Sequence, residues 1–285
     1  MENTDLPDII YHYCSPEAFF SIISNKNIWL SSCLQMNDHT EGKWFLSIFD
    51  TALKQLELNQ DNSQQIQILK DYFNKYFRVP YIASFSENAD LLSQWRGYAQ
   101  DGQGVAIGFN TKSLGLDRTA SYSETKPNFF LELGKVKYIE KDSAKKIENL
   151  KGLIKVYAEN EASGKKESQL KQFASWIYLQ SLIHKNDAFK EEDEWRIVHV
   201  PTILENKLNN TLEFKDSIGN LEHRVGGGKI TSYFEFPYHR VEEIKPIAEI
   251  ILGPRNKFND FELNSFLKQK NCGHISPKKS AATYQ

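Results

Sequence analysis

The sequence predicts an α+β fold, and three observations lead to this class. Short runs of β-branched and aromatic residues, typical of strands, recur along the whole chain. Two long stretches carry apolar residues at helical spacing. The strands return from distant parts of the chain, as they do in α+β sheets. We expect one α+β domain over residues 1–276, with helical insertions at about 40–77 and 141–185, and a flexible tail at 277–285.

The composition bounds the class of protein. The chain has 285 residues, of which 40% are hydrophobic and 13% aromatic, so it has the apolar surface that a folded core needs. Thirty-five Lys and Arg against 37 Asp and Glu give a net charge of −2, which argues against a DNA-coating role. The three cysteines stand at long spacings and are expected to be thiols. With no signal-like N-terminus and no long apolar run, we expect a cytoplasmic protein without a membrane partner.

The N-terminal segment predicts a strand, a helix and a second strand. Residues 9–13 form the first strand, and residues 28–31 the second. Between them, residues 15–17 (Ser-Pro-Glu) supply a capping hydroxyl, a proline where no N–H is needed and an acid at the positive end of the helix dipole. His12 therefore lies at a strand end beside exposed helix N–H groups, a plausible ligand-binding corner. The alternative is a histidine satisfied by a backbone carbonyl.

Further strands are expected at residues 79–85, 105–109, 136–139, 194–200, 231–236 and 249–252. The strand at 194–200 is preceded by acids, so that four carboxylates stand in a row from Glu191 to Glu194. One of them held in a cleft would have a raised pKa and could serve as an acid or face a developing positive charge. Strand alternation places Glu194 and Arg196 on one face. The alternative is a solvated acidic loop.

A polar run follows the second strand, and such a loop can grip a sugar or a phosphate. Its members are Ser31, Ser32, Gln35, Asn37, Asp38, His39 and Glu41. The alternative is an Asx turn that caps a helix at Thr40. Asp38 and Glu41 are also metal-ligand types, but without a second spaced set we expect no metal.

Trp95 and Arg96 stand together ahead of a glycine-rich turn, where we expect a loop. An indole and a guanidinium side by side suit stacking on a base and pairing with a phosphate. The alternative is a tryptophan that fills the core, with Arg96 in a nearby salt bridge.

Three segments together resemble the bacterial domain-of-unknown-function family 2971. They are residues 81–86 (YIASFS), residues 92–109, which include the Trp-Arg-Gly-Tyr run, and residues 192–197 (EDEWRI). The resemblance spans about residues 10–254, and its most specific part is the Trp-Arg segment. The family name implies no activity.

Residues 11–15 (YHYCS), the following helix and residues 28–32 (IWLSS) are similar to the opening of ADP-ribosyltransferases of the His-Tyr-Glu type. In that family a strand-borne histidine precedes a helix and a second strand, and the catalytic glutamate starts a late strand. Glu194 matches the last placement. Trp29 and Ser31 stand where the family has its second-strand tyrosine. The resemblance implies an ADP-ribosyltransferase-like split β-sheet core with helical insertions.

The same resemblance implies that NAD is consumed as a substrate. Glu194 takes the catalytic place, and His12 binds the adenosine ribose. The other residues expected to bind the dinucleotide are Ser31, Ser32, Asn37, Asp38, Trp95 and Arg96. The chemistry is coherent, because loss of nicotinamide leaves an oxocarbenium-like ribose that a fixed carboxylate stabilises.

We therefore expect an NAD-consuming ADP-ribosyltransferase-like enzyme, acting in bacterial defence or as a toxin. It would modify a protein or nucleic acid, or hydrolyse NAD. Two alternatives stay open. The first is a non-catalytic nucleotide-sensing or interaction domain that uses the Trp95–Arg96 segment as its recognition surface. The second is a metal-dependent hydrolase or nuclease that uses Asp38, Glu41, Glu192 and Glu194.

Overall fold

The computed structural model divides into two compact units. The first unit comprises Met1–Ser32, Tyr81–Lys135 and Glu191–Gln285, and the second comprises Cys33–Pro80 and Val136–Lys190. The predicted helical insertions thus fall in the second unit. The residues that the structure describes are 6–35, 43–57, 67, 70–71, 79–116, 130–140, 143–159, 166–206, 209–241 and 243–284.

The mixed α+β class is confirmed by the described elements. The helices are α1 (Pro16–Asn25), α2 (Lys43–Glu57), α3 (Leu92–Tyr98), α4 (Ala144–Glu159), α5 (Lys166–Ile183) and α6 (Asp260–Gln269). The strands are β1 (Ile9–Cys14), β2 (Asn27–Ser32), β3 (Tyr81–Ser86), β4 (Val105–Asn110), β5 (Phe130–Lys135), β6 (Lys137–Ile139), β7 (His184–Asn186), β8 (Glu194–Val200), β9 (Thr202–Asn206), β10 (Thr211–Lys215), β11 (Glu222–Gly226), β12 (Lys229–Pro237), β13 (Ile247–Leu252) and β14 (Lys278–Lys279).

The start of the chain folds as its local signals predict. The Ser15 hydroxyl caps α1 by accepting a hydrogen bond from the Ala18 N–H at 3.2 Å, and Pro16 occupies the first turn, where no N–H is needed. Lys26 ends the helix in the left-handed region, with φ of 56°. Its N–H bonds the carbonyl of Ile22. This tight exit leads directly into β2.

Within the described residues, ten strands of the first unit form one mixed sheet. Its main path runs in the order β11-β12-β2-β3-β1-β4-β13-β14, and two further strands leave this path because β8 pairs with β3 and β5 pairs with β8. The ladders are antiparallel except for the parallel pair of β13 and β14. The sheet is therefore branched at β3, which has three strand partners.

The branching divides one edge of β3 between two strands. On its undivided edge, β3 pairs with β8 along its whole length. On the other edge, Ser31 and Ser32 of β2 pair with the start of β3, whereas Tyr11 of β1 pairs with Ser86 at its end. The ladders leave residues 83–85 of β3 unpaired on this edge. We call this place, where β1 and β2 part from β3, the fork.

Each unit has a hydrophobic cluster of its own. In the first unit, one such cluster joins β1, β4, β13 and α3, and its buried members are Tyr11, Tyr13, Trp95, Ala99, Ala106 and Ile251. In the second unit, α2, α4 and α5 supply a cluster of Phe45, Ile48, Phe49, Ala52, Leu53, Leu56, Leu150, Ile154, Phe173 and Ile177. The apolar spacing noted in the predicted insertions thus corresponds to helices that pack on one another.

The C-terminal residues of the first unit form hydrogen bonds to two aspartates earlier in the same unit, Asp90 and Asp101. Beyond β14, the Ser280 hydroxyl and the Ala281 N–H both donate to the carboxylate of Asp90, and the Tyr284 hydroxyl donates to Asp101 at 2.7 Å. This is the stretch for which the sequence predicts a flexible tail.

None of the described helices has the length and apolar character needed to cross a bilayer.

Candidate functional site

His12 lies at the fork and bridges it. Its Nδ1 is 2.9 Å from the backbone oxygen of Ser84, one of the β3 residues that the ladders leave unpaired on this edge. A carbonyl oxygen can only accept, so Nδ1 carries the proton and Nε2 keeps a lone pair. The imidazole N–H thus donates to the Ser84 carbonyl, a backbone group that the strand ladders leave unpaired on this edge. The geometry agrees with the carbonyl-satisfied histidine that the sequence left open, and Nε2 remains as an acceptor.

The surroundings of His12 keep its imidazole neutral. Burial lowers the pKa of His12, and the positive charge of Arg224 lowers it further, while the hydrogen bond to Ser84 acts in the opposite direction. The ring also lies 5.5 Å from the ring of Phe85, centroid to centroid. At pH 7 His12 is therefore an uncharged acceptor through Nε2.

Arg224 brings the β11–β12 hairpin to the β2 side of the fork. Its Nη2 donates to the Ser31 hydroxyl at 3.1 Å, and its guanidinium carbon lies 5.1 Å from the centre of the Trp29 ring. Trp29 in turn packs on Tyr233, with ring centroids 4.6 Å apart. Tyr233 stands directly across from Ser31 in the ladder, and Ser32, the next predicted residue, is buried. Arg224 is a residue that no sequence motif indicated.

Glu194 starts β8, as predicted, and is held by Arg196. The Nε of Arg196 donates to Oε1 of Glu194 at 2.7 Å, and its Nη2 donates to Oε2 at 3.0 Å. The two side chains share a face of the strand and are almost fully buried, Glu194 being 4% and Arg196 1% exposed. Such a two-pronged contact fixes the carboxylate in one orientation.

Ladder positions relate this ion pair to His12. Ser86 of β3 stands across from Glu194 and Ser84 across from Arg196, and it is the Ser84 carbonyl that His12 contacts. Neighbouring strands lie about 4.8 Å apart, so β1 and β8, on opposite edges of β3, are about 10 Å apart. His12, Ser31 and Glu194 therefore come from three strands that all pair with β3.

A cluster of charged residues supports the start of β8. Lys135 bonds Glu87 at 2.6 Å and Asp193 at 3.2 Å, and the Trp195 indole donates to the same Glu87 oxygen at 2.7 Å. Burial raises the pKa of Glu87, but the hydrogen bonds from Lys135 and Trp195 outweigh it and lower that pKa below its ordinary value. Asp193 itself has φ of 45°, in the left-handed region. The residue before Glu194 is thus Asp193, which has a left-handed backbone and an ion-paired side chain.

The row of four acids is therefore not a uniform solvated loop. Glu191 is exposed, whereas Glu192 is buried and Asp193 is ion-paired. The Glu192 carbonyl accepts a hydrogen bond from the Ser86 hydroxyl at 2.6 Å. The row hence joins the end of β3 to the beginning of β8 and leads into the buried Glu194.

Trp95 and Arg96 lie on helix α3, where the sequence predicted a loop. Trp95 is 0% exposed. Its ring meets Tyr13 edge-on at 4.8 Å, and its N–H donates to Asp90 at 2.6 Å. In this arrangement the indole is part of the core, as in the alternative we left open, and has no face for a ligand. Arg96 is exposed, with its guanidinium 5.9 Å from the Tyr284 ring.

The remaining predicted site residues cannot be placed. Asn37 and Asp38 lie outside the described residues, as do His39 and Glu41. Among the residues the structure does describe, no group of three or more His, Cys, Asp or Glu side chains is arranged to hold a metal ion.

A polar cleft of about 340 Å³ opens where β2 begins and β12 ends. Amides and carboxylates dominate its lining, which includes Asn25, Asn27, Asn220, Glu222 and Glu235. None of the predicted site residues is among those that line it. Glu222 lies on the same strand as Arg224, so this cleft and the Arg224 side chain share one hairpin.

Comparison with known proteins yields one match. Residues 94–197 match the model of DUF2971, described as a protein of unknown function. No curated protein and no solved structure matches the chain. The matched stretch includes Trp95, Glu194 and Arg196, and it begins after His12 and Ser31. The match confirms the resemblance drawn from the Trp-Arg and Glu-Trp-Arg segments, over residues 94–197 of the stretch 10–254 for which we expected it.

Proposed function

We propose that this protein is an NAD-consuming enzyme of the ADP-ribosyltransferase-like type. The observation that carries the proposal is the fork, because β1 and β2, which bear His12 and Ser31, part from β3 there, and β8, which bears Glu194, pairs with the opposite edge of β3. A sheet divided in this way agrees with the split β-sheet core that the resemblance implies. It also brings the strands that bear an early histidine and a late glutamate within two strand spacings of each other. Tyr11, Ser86 and Glu194 stand across from one another in the ladders, so the His12 side chain starts from the face opposite to Glu194.

The state of His12 supports a role in binding a ribose. A neutral imidazole whose Nδ1–H is already donated to Ser84 offers Nε2 as an acceptor for a sugar hydroxyl. Because burial and Arg224 lower its pKa, His12 keeps this acceptor at neutral pH. Ser31 lies on the neighbouring arm of the fork and can add a hydroxyl contact.

Glu194 would stabilise the charge that develops during the reaction. The bond between C1′ of the ribose and the nicotinamide nitrogen breaks, and its electron pair leaves with nicotinamide. Positive charge then builds on the ribose, as in glycoside cleavage, and is stabilised by a nearby carboxylate. An oxygen of the acceptor or of water bonds to C1′ and releases its proton to solvent. Arg196 holds the carboxylate in place beforehand, so that little reorganisation is needed.

One observation favours a second candidate, a domain that binds a nucleotide without consuming it. Both oxygens of Glu194 accept hydrogen bonds from Arg196, and the side chain is buried. A carboxylate neutralised in this way is a structural ion pair in many proteins. This candidate predicts that NAD binds at the fork and that no nicotinamide is released.

The two candidates are separated by measuring nicotinamide release from NAD, with and without cell extract. Glu194→Gln should lower turnover by about 100- to 1000-fold, the usual loss when a transition-state contact is removed. Because this change also breaks the pair with Arg196, the double variant Glu194→Gln/Arg196→Gln is needed, in which two neutral amides replace both charges. Glu205→Gln on β9, an exposed acid, is the matched control.

The enzyme proposal expects both Glu194 variants to be inactive and the Glu205 variant to match the wild type. A folded double variant with full turnover would contradict it. Binding of NAD to a wild-type protein that releases no nicotinamide would instead establish the second candidate. Circular dichroism and thermal melting show which variants are folded.

A further inference from the structure

We propose that Arg224 binds the phosphate groups of the nucleotide ligand, as an anion site on the β2 side of the fork. The inference rests on the proposed function for the identity of the ligand. It concerns a residue of the β11–β12 hairpin that neither the sequence motifs nor the DUF2971 match includes. Its expected ligand chemistry is a diphosphate joined to a ribose.

The guanidinium of Arg224 is held in place before any ligand arrives. One nitrogen, Nη2, donates to the Ser31 hydroxyl at 3.1 Å, and the Trp29 ring lies 5.1 Å from the guanidinium carbon. A long flexible side chain normally loses rotamer freedom when it binds. Because two contacts already restrict Arg224, less of this cost remains.

Arg224 has donors to spare. Within the described part of the chain, no carboxylate lies in ion-pair distance of its guanidinium, and the Ser31 hydroxyl is its one hydrogen-bond partner. Arg255, a half-buried arginine elsewhere in the first unit, is by contrast paired with Asp101. A planar guanidinium with an open edge matches two oxygens of a phosphate.

The position of Arg224 relative to His12 suggests which ligand spans both. Arg224 contacts Ser31, which stands across from Ile82 of β3. His12 contacts the carbonyl of Ser84, two residues further along that strand, so both groups lie at the fork. The charge of Arg224 also lowers the pKa of His12. One accepts a hydrogen bond through Nε2 and the other donates several. A ribose hydroxyl on His12 and a phosphate on Arg224 satisfy both groups at once, and a nucleoside diphosphate joins these two features through a single ester bond.

Two carboxylates limit where the anion can lie. Glu222 stands across from Tyr233 in the β11–β12 ladder, and Glu235 lies two residues beyond Tyr233 on β12. Burial raises the pKa of Tyr233 and the charges of the two carboxylates raise it further, whereas Arg224 lowers it. An anion on the Tyr233 side would therefore be repelled. We place the phosphates on the side of Arg224 that faces Ser31.

The test is equilibrium binding of ADP-ribose and of adenosine to the purified full chain, measured by calorimetry. Arg224→Gln should weaken ADP-ribose binding by about 10- to 100-fold, the effect of losing a charge-assisted pair of hydrogen bonds. Adenosine, which has no phosphate, should bind both proteins alike. Arg224→Lys should recover part of the loss, because it restores the charge without the planar fork of donors.

Arg240→Gln is the matched control. Arg240 is also an exposed arginine whose guanidinium lies over an aromatic ring, 5.6 Å from the centre of Phe236. Its removal should leave ADP-ribose binding unchanged. The inference is overturned if Arg224→Gln binds ADP-ribose as the wild type does, if both probes weaken equally, or if the wild type does not bind ADP-ribose.

The same variants separate this inference from the proposed function. Arg224-dependent binding of ADP-ribose by a protein that never releases nicotinamide would refute turnover and leave the anion site standing. Nicotinamide release by Arg224→Gln with an unchanged KM for NAD would refute the anion site and leave the enzyme proposal standing.

Discussion

His12 in the first unit and His184 in the second share the same local chemistry and differ in what surrounds it. Each places Nδ1 on a backbone carbonyl, His12 on Ser84 at 2.9 Å and His184 on Gln180 at 2.7 Å. Burial is the largest cause of a lowered pKa in both, and it lowers the pKa of His184 to about 4. His184, however, is 3% exposed and stacks on Phe45 at 4.8 Å.

The difference shows that a shifted pKa marks burial and does not by itself mark function. Around His184 the second unit is a hydrophobic helical cluster that includes Phe45. Cations lower the pKa of both histidines, Lys146 and Lys137 that of His184 and Arg224 that of His12. His12, however, lies at a branched sheet edge where Arg224 donates to the Ser31 hydroxyl. A free lone pair on an imidazole can serve a ligand only in the second kind of setting. Four experiments can break or sharpen this contrast.

The largest effect is expected from the buried ion pair of the first unit. Arg196→Leu leaves the Glu194 carboxylate buried without its partner and should lower the free energy of unfolding by about 3–5 kcal/mol. Asp50→Asn in the second unit breaks the ion pair with Lys54. The side chains of Asp50 and Lys54 are 49% and 68% exposed, so this change should lower the free energy of unfolding by less than about 1 kcal/mol. Urea unfolding measures both. Equal losses in the two variants would contradict the expectation that the buried pair of the first unit contributes more to stability than the exposed pair of the second.

The next effect is the pH dependence contributed by His184. Its folded pKa of about 4 lies below the unfolded value of about 6.5, so the unfolded chain binds the proton more readily as the pH falls. The contribution of His184 to the free energy of unfolding is therefore fully present above about pH 6.5 and falls by about 3 kcal/mol as the pH is lowered to 4.

His184→Phe keeps the stacking on Phe45 and removes the titration. Urea unfolding of this variant should therefore depend less on pH than that of the wild type, by the same amount between pH 7 and pH 4. Other groups titrate in both proteins and cancel in the comparison. A variant whose pH dependence equals that of the wild type would show that His184 titrates normally.

The smallest effect tests whether His12 is needed as a donor at the fork. His12→Leu leaves the Ser84 carbonyl without its side-chain donor and should lower the free energy of unfolding by about 1–3 kcal/mol. His12→Asn carries an amide N–H at nearly the same distance along the side chain, so most of this loss should be recovered. If Asn is no better than Leu, packing of the ring, and not its hydrogen bond, holds the fork.

Local patterns predicted some elements and missed others, such as β5, β9, β10 and β11. Alternation and a capping sequence suffice for β1, α1 and β8, because the signals that begin and end these elements lie within them. They also place Glu194 and Arg196 on one face. Alternation does not predict that Arg196 donates hydrogen bonds to Glu194. Two residues at this spacing on one face of a strand can equally well have separate partners.

The fork itself could not be predicted from local patterns. It depends on which parts of β3 meet β1 and which meet β2, and these pairings join residues about 50 to 75 positions apart. Arg224 was missed for a similar reason, since it reaches Ser31 across 193 positions. The one sequence signal was the Gly226–Gly228 turn with strand residues on both sides, which predicts a hairpin and leaves its neighbour unspecified.

Trp95 shows how neighbouring residues can mislead. The glycine-rich turn that follows it predicted a loop. On helix α3, however, side chains three to four positions apart share a face, and the face that carries Trp95 and Ala99 packs against Tyr13. Apolar residues at a spacing of four were the signal that would have placed this indole in the core.

The most direct test of the account follows the imidazole nitrogens by 15N NMR at pH 7, with the resonances of the seven histidines assigned through His12→Asn and His184→Phe. In the free protein both rings should be neutral with the proton on Nδ1, as their carbonyl contacts require. Addition of ADP-ribose should shift the Nε2 resonance of His12 and leave that of His184 unchanged. Binding of ADP-ribose with no change at His12, or with equal changes at both histidines, would contradict the claim that the fork is the nucleotide site.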